Sequence, residues 1–320
     1  MAKATKSRSA KSKPAAAKPK RAAAKSKRAA AKPKRAAAKH KRKAGASLPV
    51  VRLVTPADAT DKKPSQDSFE KLLKKLFGSS IDYKACYGKY DTATLTQAAN
   101  DAVTDAYAAV DGGLPAVIVA AGTMAAGILQ EITIQKNLTT AIPIIQAVGG
   151  SVPNKRQPNL TGFIIDAAGT AQAQLALLNA PVAVLYDDTP GNPSNSIYGQ
   201  LDQTKVIPLT ARTPGDLPKV NLPANANGFM LLPNAMFYNH CSKVVKIVDG
   251  KTVAGGGPLP IYYPEREYKE AHKITTAGVT VLGHHVAFTY RLAATYVDSI
   301  ISGDLQIPLP ALAGAIPDQC

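Results

Sequence analysis

The sequence predicts an α/β protein with two lobes, each a doubly wound, mostly parallel sheet, preceded by a disordered basic N-terminal tail. Strand-like apolar runs alternate with helical segments, and this alternation occurs in two sets over about 275 residues. Several strands are continuous apolar runs, such as PAVIVA at 115–120, which are typical of parallel strands buried on both faces. The composition changes sharply after Gly45, where a Lys- and Ala-rich segment ends.

The net positive charge of the chain is confined to this tail. Residues 1–45 hold 18 of the 39 Lys and Arg residues and no Asp or Glu, which leaves 21 basic and 22 acidic residues for the body. Strong attraction to nucleic acid is therefore expected from the tail alone. We expect residues 1–46 to be disordered, because Ala is the only apolar residue type of the repeats and Pro19 and Pro33 break helices.

Four seven-residue repeats make up most of the tail. They read AAAKPKR, AAAKSKR, AAAKPKR and AAAKHKR and run without interruption over 15–42. Each repeat places three cations in four residues, which suits the phosphates of a polyanion but contains nothing that reads base edges. The composition resembles the tails of linker histones and of bacterial histone-H1-like proteins. The sequence therefore predicts a segment that binds nucleic acid or another polyanion, with a spacer, a solubilising tail or a transit peptide as alternatives. The predicted contacts are Lys18, Lys20, Arg21, Lys25, Lys27, Arg28, Lys32, Lys34, Arg35, Lys39, Lys41 and Arg42.

The first half of the body alternates strands with helices. Apolar runs, some of them rich in β-branched residues, predict strands, and apolar residues at helical spacing predict helices. The predicted strands are 48–54, 81–87, 115–120 and 142–148, and the predicted helices are 69–77, 92–110 and 124–136.

The second half repeats the pattern. The predicted strands are 160–165, 182–186, 228–232 and 259–263, and the predicted helices are 170–179, 234–248 and 290–302. From these elements we assign 47–150 together with 276–303 to the first lobe and 151–275 to the second lobe. We assign 304–320 to a C-terminal extension.

Seven stretches of the body resemble the ABC transporter substrate-binding proteins with the type 1 periplasmic-binding fold, in their tryptophan/tyrosine-type branch. The stretches are PAVIVAAGTMAA, IPIIQAV, NLTGF, PVAVLYDDTPGNPSNS, GFMLLPNAMF, PLPIYYPEREY and YRLAATYVDSIISGDLQIPLP, within about 92–310. The resemblance implies two lobes that close over a small ligand. The chain departs from the family pattern in its basic tail, in Asn234 where the family has an acidic residue, and in Gly149-Gly150-Ser151 where the family has Asp-Pro.

Short polar loops at the predicted strand ends supply the candidate ligand contacts. In open α/β sheets ligands bind beyond the carboxyl ends of the strands, where the N–H groups of helix N-termini attract carboxylates or phosphates. Asn side chains would act as neutral donors, and Glu265 would accept from a ligand ammonium. For Ser, Thr and Asn at loop-to-helix junctions, simple helix capping is the alternative. The candidates are Gly122, Thr123, Met124, Gly150, Ser151, Asp188, Asn192, Asn195, Asn234 and Glu265.

Catalytic and metal-binding patterns are weak in this sequence. Asp187-Asp188 lacks an evident third metal ligand, and His284-His285 lacks the spacing of a helical zinc pair. The triple glycine at 255–257 lacks the Lys-Ser/Thr of a phosphate-binding loop, and no G-x-S-x-G nucleophile elbow is present. We therefore expect no metal, no cofactor and no enzymatic activity.

The cellular compartment is inferred from the cysteines and the N-terminus. The three cysteines form no C-x-x-C pair, and no apolar stretch of signal-peptide length follows the charged residues in 1–45. We therefore expect a cytoplasmic protein with no membrane span.

Two functions stay open. One is a binding protein for a small molecule, such as an amino acid or a related acid, with a polyanion-binding tail. The other is a nucleoid-associated or DNA-tethered protein that uses the fold as a scaffold. A transporter partner is left open.

Overall fold

The structure is a computed structural model and describes residues 47–61, 64–149, 157–253, 255–265, 268, 279–284, 286–310 and 313–314. The twelve predicted nucleic-acid contacts all lie in 1–46, outside the described residues.

Two parallel sheets form the described body, which confirms the predicted α/β fold with two lobes. In spatial order, the first sheet contains β11 (Ala313–Gly314), β5 (Leu160–Ile164), β4 (Ile144–Val148), β3 (Ala116–Ala121), β1 (Val50–Thr55) and β2 (Asp82–Tyr87). The second sheet contains β10 (Val279–His284), β9 (Ile261–Glu265), β8 (Gly228–Leu231), β6 (Val182–Tyr186) and β7 (Val206–Thr210). Neighbouring strands pair in parallel in both sheets.

Helices cover both faces of the first sheet. They are α1 (Pro64–Phe77), α2 (Thr92–Asp111), α3 (Thr123–Gln135) and α8 (Val286–Ile301). In β1, Val51 and Leu53 pack with α1 and α8, whereas Val50 and Val54 pack with α2 and α3. Both faces of the strand are therefore apolar, because successive side chains point to opposite faces and each face meets a helix layer.

The second sheet is covered in the same way. Its helices are α4 (Ala167–Ala176), α5 (Pro193–Tyr198), α6 (Ala235–Asn239) and α7 (Cys241–Val248), with a 3-10 turn at Leu217–Lys219. Val184 and Met230 pack with α4 and α5, whereas Leu185 and Leu231 pack with α6 and α7. The predicted helix over 234–248 divides at His240 into α6 and α7.

The pairing of two strands corrects the predicted lobe boundaries. β5 pairs with β4, so the first sheet extends past residue 150, where the sequence placed the boundary. β10 pairs with β9, so the second sheet extends past residue 275. The composition of these strands does not show which neighbour they join. In the predicted C-terminal extension, β11 pairs with β5 and the Leu309 N–H donates to the Pro158 carbonyl at 2.7 Å, so this part packs on the first lobe.

The sequence missed the strands β7, β10 and β11 and the helix α5. The clearest case is β7. It lies at the edge of the second sheet, is half-buried and contains Pro208. Proline lacks the N–H of a ladder hydrogen bond and is therefore confined to edge positions, where the apolar signal is weak.

A buried arginine joins two strands and a helix of the first lobe. Arg52 in β1 is 5% exposed. Its Nε donates to Asp105 Oδ2 at 2.8 Å and its Nη2 to Asp82 Oδ2 at 2.7 Å. Burial alone would lower the pKa of Arg52, but hydrogen bonds and the charges of Asp82 and Asp105 raise it overall. The guanidinium therefore stays charged and connects β1 to β2 and α2.

Candidate functional site

The carboxyl ends of strands from both sheets border one cavity of about 200 Å³. Residues at or next to the ends of β1, β3 and β4 line it from the first lobe, and residues at or next to the ends of β6, β8 and β9 line it from the second lobe. At about 30 Å³ for each water molecule, this space equals roughly seven waters and suits a small molecule. The position agrees with the general rule for ligand sites in open α/β sheets.

The wall from the first lobe is the turn between β3 and α3. Gly122, Thr123 and Met124, three of the residues predicted to contact a ligand, line the cavity. Gly122 is the N-cap of α3, has a φ of 108° and supplies no side-chain cap. The first N–H groups of α3 thus lack a side-chain cap. Thr123 Oγ1 is buried and has no hydrogen-bond partner within the described residues. This wall therefore offers hydrogen-bonding groups to a solute.

The wall from the second lobe is a polar network around Asp187. Asp187 accepts hydrogen bonds from the Thr189 N–H at 2.9 Å, Asn192 Nδ2 at 2.7 Å and Asn234 Nδ2 at 3.3 Å. Asn192 also caps α5 through the Ser194 N–H, and Asn234 caps α6 through the Met236 N–H. Both asparagines act as helix caps, and both also line the cavity.

The remaining candidates divide into three groups. Glu265 ends β9, is 8% exposed and lines the cavity. Asp188 and Asn195 are not among the residues that line the cavity. Asp188 instead accepts hydrogen bonds from Arg212 Nε at 2.7 Å and Nη2 at 2.9 Å, and this interaction lowers the pKa of Asp188. Gly150 and Ser151 lie outside the described residues.

A second set of contacts connects the two lobes beside the cavity. Tyr90, in the loop after β2, donates to Asp61 Oδ2 at 2.5 Å and accepts from Asn239 Nδ2 of α6 at 3.0 Å. His240 Nε2 lies 3.2 Å from Asp61 Oδ1, without the alignment of a hydrogen bond. Burial lowers the pKa of His240, and the charge of Asp61 opposes this shift. Tyr90 and Asp61 of the first lobe thus contact the second lobe directly, at Asn239 of α6 and at His240.

Two features of these contacts were not predicted. Tyr90 has a φ of 58°, a left-handed conformation that is uncommon for a bulky residue and that is often found at functional sites. Ser65 Oγ of α1 and the Tyr238 hydroxyl of α6 form a further hydrogen bond between the two lobes. The loop after β2 also lies at the carboxyl end of a strand. The rule that selected the other candidate residues could therefore have selected Tyr90 as well. Tyr238 and Tyr290 carry no such signal, because only the arrangement of the lobes brings them to the cavity.

Metal-ligand clusters and membrane-spanning helices are absent from the described residues. Within them, no three His, Cys, Asp or Glu side chains lie close enough to hold a metal ion. No helix in that part of the chain has the length and apolar character needed to cross a bilayer.

The fold is similar to solved structures of periplasmic-binding-like proteins and of transcriptional regulators. A conserved domain protein from Vibrio cholerae is 16% identical, with a TM-score of 0.60 over 85% of this chain and 90% of that chain. An ABC domain from Streptococcus pneumonia, in complex with L-Trp, is 11% identical, with a TM-score of 0.57 over 85% of this chain and 90% of that one. The trehalose repressor of Escherichia coli is 11% identical, with a TM-score of 0.52 over 85% of this chain and 99% of that one.

These similarities establish the periplasmic-binding-like fold. No family model matches the chain, and no curated protein matches it in sequence.

Proposed function

We propose that this protein binds a small solute between its two lobes, in the manner of ABC transporter substrate-binding proteins. The observation that carries the proposal is the cavity of about 200 Å³ where strand ends of both sheets meet. Its walls contain the start of α3, the asparagines at the starts of α5 and α6, and the carboxylate of Glu265. Most binding sites for small molecules combine an apolar cleft with a few polar groups of this kind.

The proposed ligand class is an amino acid or a related acid. The sequence stretches that resemble the tryptophan/tyrosine-type branch favour this class. The geometry is compatible with it, because the uncapped start of α3 suits a ligand carboxylate and Glu265 suits a ligand ammonium. Tyr90 contacts Asn239 of α6, and Asp61 contacts His240, the residue that follows α6. These contacts support a role for lobe closure in binding, since they form where the lobes meet.

A ligand screen with two tryptophan variants tests this function. We expect at least one of the standard amino acids, simple sugars or small amines to raise the melting temperature of the protein, because a ligand that binds only the folded state at 100 times its Kd adds about 2.7 kcal/mol of stability. Ala235→Trp should weaken that binding by tenfold or more, because Ala235 lines the cavity. Ala108→Trp is the matched control, since Ala108 is exposed on α2. Equal binding by both variants would contradict a site in this cavity.

We further propose that the tail binds nucleic acid or another polyanion. The 18 Lys and Arg residues of 1–45, with no acidic residue among them, support this second function, while the body is close to neutral. Each phosphate neutralised on duplex DNA releases counterions and contributes a slope of about −0.9 to the dependence of log K on log salt. The proposed role is to tether the binding protein to DNA without sequence preference.

Replacing the twelve predicted contact cations of the tail with glutamine tests this role in the full chain. We expect affinity for a random duplex DNA to fall by tenfold or more and the salt slope to become shallower, because the counterion release is lost. Fluorescence anisotropy at several salt concentrations measures both quantities. Solute binding should be unchanged in the same variant. Unaltered DNA affinity would assign the interaction to the body and refute the role of the tail.

A further inference from the structure

We propose that two tyrosines, Tyr90 of the first lobe and Tyr238 of the second, form a latch that holds the lobes together through protein contacts, so that a solute enters only after the latch opens. The latch goes beyond solute binding, because it consists of contacts between protein atoms. Only its effect on solute entry rests on the proposed function.

The two tyrosines are exchanged between the lobes. Tyr90 follows β2 of the first lobe, yet its side chain packs against the core cluster of the second lobe that contains Phe237. Tyr238 belongs to α6 of the second lobe, yet its side chain packs against the core cluster of the first lobe that contains Phe69. Buried aromatic side chains contribute much of the stability of an interface. Each lobe therefore anchors itself on the core of the other.

The hydroxyls of both tyrosines form hydrogen bonds across the same interface. The Tyr90 hydroxyl accepts from Asn239 Nδ2 of α6 at 3.0 Å. The Tyr238 hydroxyl pairs with Oγ of Ser65, a buried residue of α1. Both hydrogen bonds join protein atoms directly, so neither needs a solute as a bridge between the lobes.

The first lobe fixes the loop that presents Tyr90. Lys89 and Tyr90 have φ angles of 52° and 58°, a left-handed conformation that persists only where surrounding contacts fix it. The N–H groups of Tyr90 and Lys89 donate to the carbonyls of Pro56 and Ala57 at 2.7 and 3.1 Å. The Tyr90 hydroxyl donates to Asp61 Oδ2 at 2.5 Å. All these contacts lie within the first lobe, so they orient Tyr90 toward its partner independently of the second lobe.

A third contact completes the latch. His240 Nε2 lies 3.2 Å from Asp61 Oδ1, and the rings of His240 and Tyr90 are 6.0 Å apart. The side chains of Asp61 and His240 are only 8% and 16% exposed, so water competes little for these polar contacts. The latch thus consists of Asp61, Ser65 and Tyr90 from the first lobe and Tyr238, Asn239 and His240 from the second.

The latch lies at the edge of the candidate site. Ser65, Tyr90, Tyr238 and Asn239 also line the cavity, so separating them opens this side of the cavity to solvent. A solute that enters only the open form meets only the fraction of molecules in which the latch is broken. The latch therefore slows both the entry and the release of a solute.

Removing the two hydroxyls tests the latch on the full-length protein with no solute added. Tyr90→Phe/Tyr238→Phe keeps both rings and removes both hydrogen bonds between the lobes. Because one hydrogen bond corresponds to a factor of about five, we expect the open fraction to rise by tenfold or more. Hydrogen–deuterium exchange should accelerate to the same extent in 120–126 and 188–195, which contain cavity-lining residues but no latch residue. Exchange in 98–111 of α2, which does not line the cavity, should be unchanged.

Removing the two rings tests the latch by the size of the molecule. Tyr90→Gly/Tyr238→Ala deletes both aromatic side chains, and glycine accepts the left-handed backbone of position 90. Small-angle X-ray scattering should show a larger radius of gyration for this variant than for the wild-type protein. Tyr107→Phe/Tyr198→Phe is the control for both measurements, because it removes one hydroxyl from each lobe outside the latch and the cavity lining.

Each outcome supports or overturns a stated part of the inference. A radius of gyration equal to that of the wild-type protein after loss of both rings overturns the latch. Unchanged exchange in Tyr90→Phe/Tyr238→Phe overturns the role of the hydrogen bonds, and this variant alone decides the inference if Tyr90→Gly/Tyr238→Ala does not fold. Equal effects in the control overturn the assigned position.

The latch and the proposed function can fail separately, since these measurements use no solute. If the variants open as expected but no compound in the ligand screen binds, the latch stands and its role in solute entry is overturned. If a compound binds but neither latch variant opens, the solute-binding function stands and the latch is overturned.

Discussion

Replacing Gly162 with alanine is expected to destabilise the first lobe by about 4 kcal/mol, among the largest effects of a single substitution. Gly162 in β5 has a φ of 126°, a backbone angle that residues other than glycine rarely adopt. A Cβ at this position would lie 2.1 Å from the Gln146 carbonyl oxygen and 2.7 Å from the Gln146 nitrogen. Both atoms belong to the backbone of β4, which pairs with β5, so the clash separates two neighbouring strands.

A glycine in α3 provides the control. A Cβ on Gly127 would meet no heavy atom within 4 Å, and Gly127 is inside a helix. Gly127→Ala should therefore stabilise the protein by about 0.5–1 kcal/mol, because alanine loses less backbone entropy in a helix. Urea denaturation of both variants measures the difference. Similar stabilities for the two variants would show that the strands separate at low cost.

Removing both carboxylates that pair with Arg52 is expected to lower the stability of the protein by about 3 kcal/mol, because a buried charge is left without its partners. The double variant Asp82→Asn/Asp105→Asn keeps the size of both side chains and leaves Arg52, a residue that is 5% exposed, without these two charged partners. Removal of the arginine should cost less. The side chains of Asp82 and Asp105 are already 51% and 36% exposed in the wild-type protein, so both carboxylates can be hydrated in Arg52→Met. We expect a loss of about 1 kcal/mol for this variant.

Comparing the stability losses of the double variant and of Arg52→Met shows whether the charge or the packing of Arg52 matters more. Chemical denaturation of the wild-type protein, the double variant and Arg52→Met gives both values under the same conditions. If Arg52→Met is the less stable of the two, packing of the arginine stem matters more than its charge. Asp202→Asn is a suitable reference, since its carboxylate is exposed and pairs with Lys205 at the surface.

The position of the candidate site could be predicted, but the role of each residue could not. The rule that ligands bind beyond strand ends located Gly122, Thr123 and Met124 in the cavity. It also selected Asp188, yet the side chain of Asp188 is held by Arg212, which lies 24 residues further along the chain. A rule based on strand ends identifies a loop and does not show which side chain of that loop faces the cavity.

The sequence by itself determined most of the buried elements, because strand and helix formation follow from the local order of apolar, polar and turn residues. The buried runs of β1, β3, β6 and β8 and the periodic helices α2 and α3 all lie where their patterns predicted them. The charge of the tail is likewise a property of the sequence alone.

Only the tertiary structure decided which strands are neighbours and which side chains meet. β5 joins the first sheet and β10 the second because of backbone pairing, which leaves no mark in the composition of either strand. The same holds for Tyr90 and Asn239, whose side chains meet although 149 residues separate them. Contacts of this kind depend on the packing of whole elements, and no local pattern encodes them.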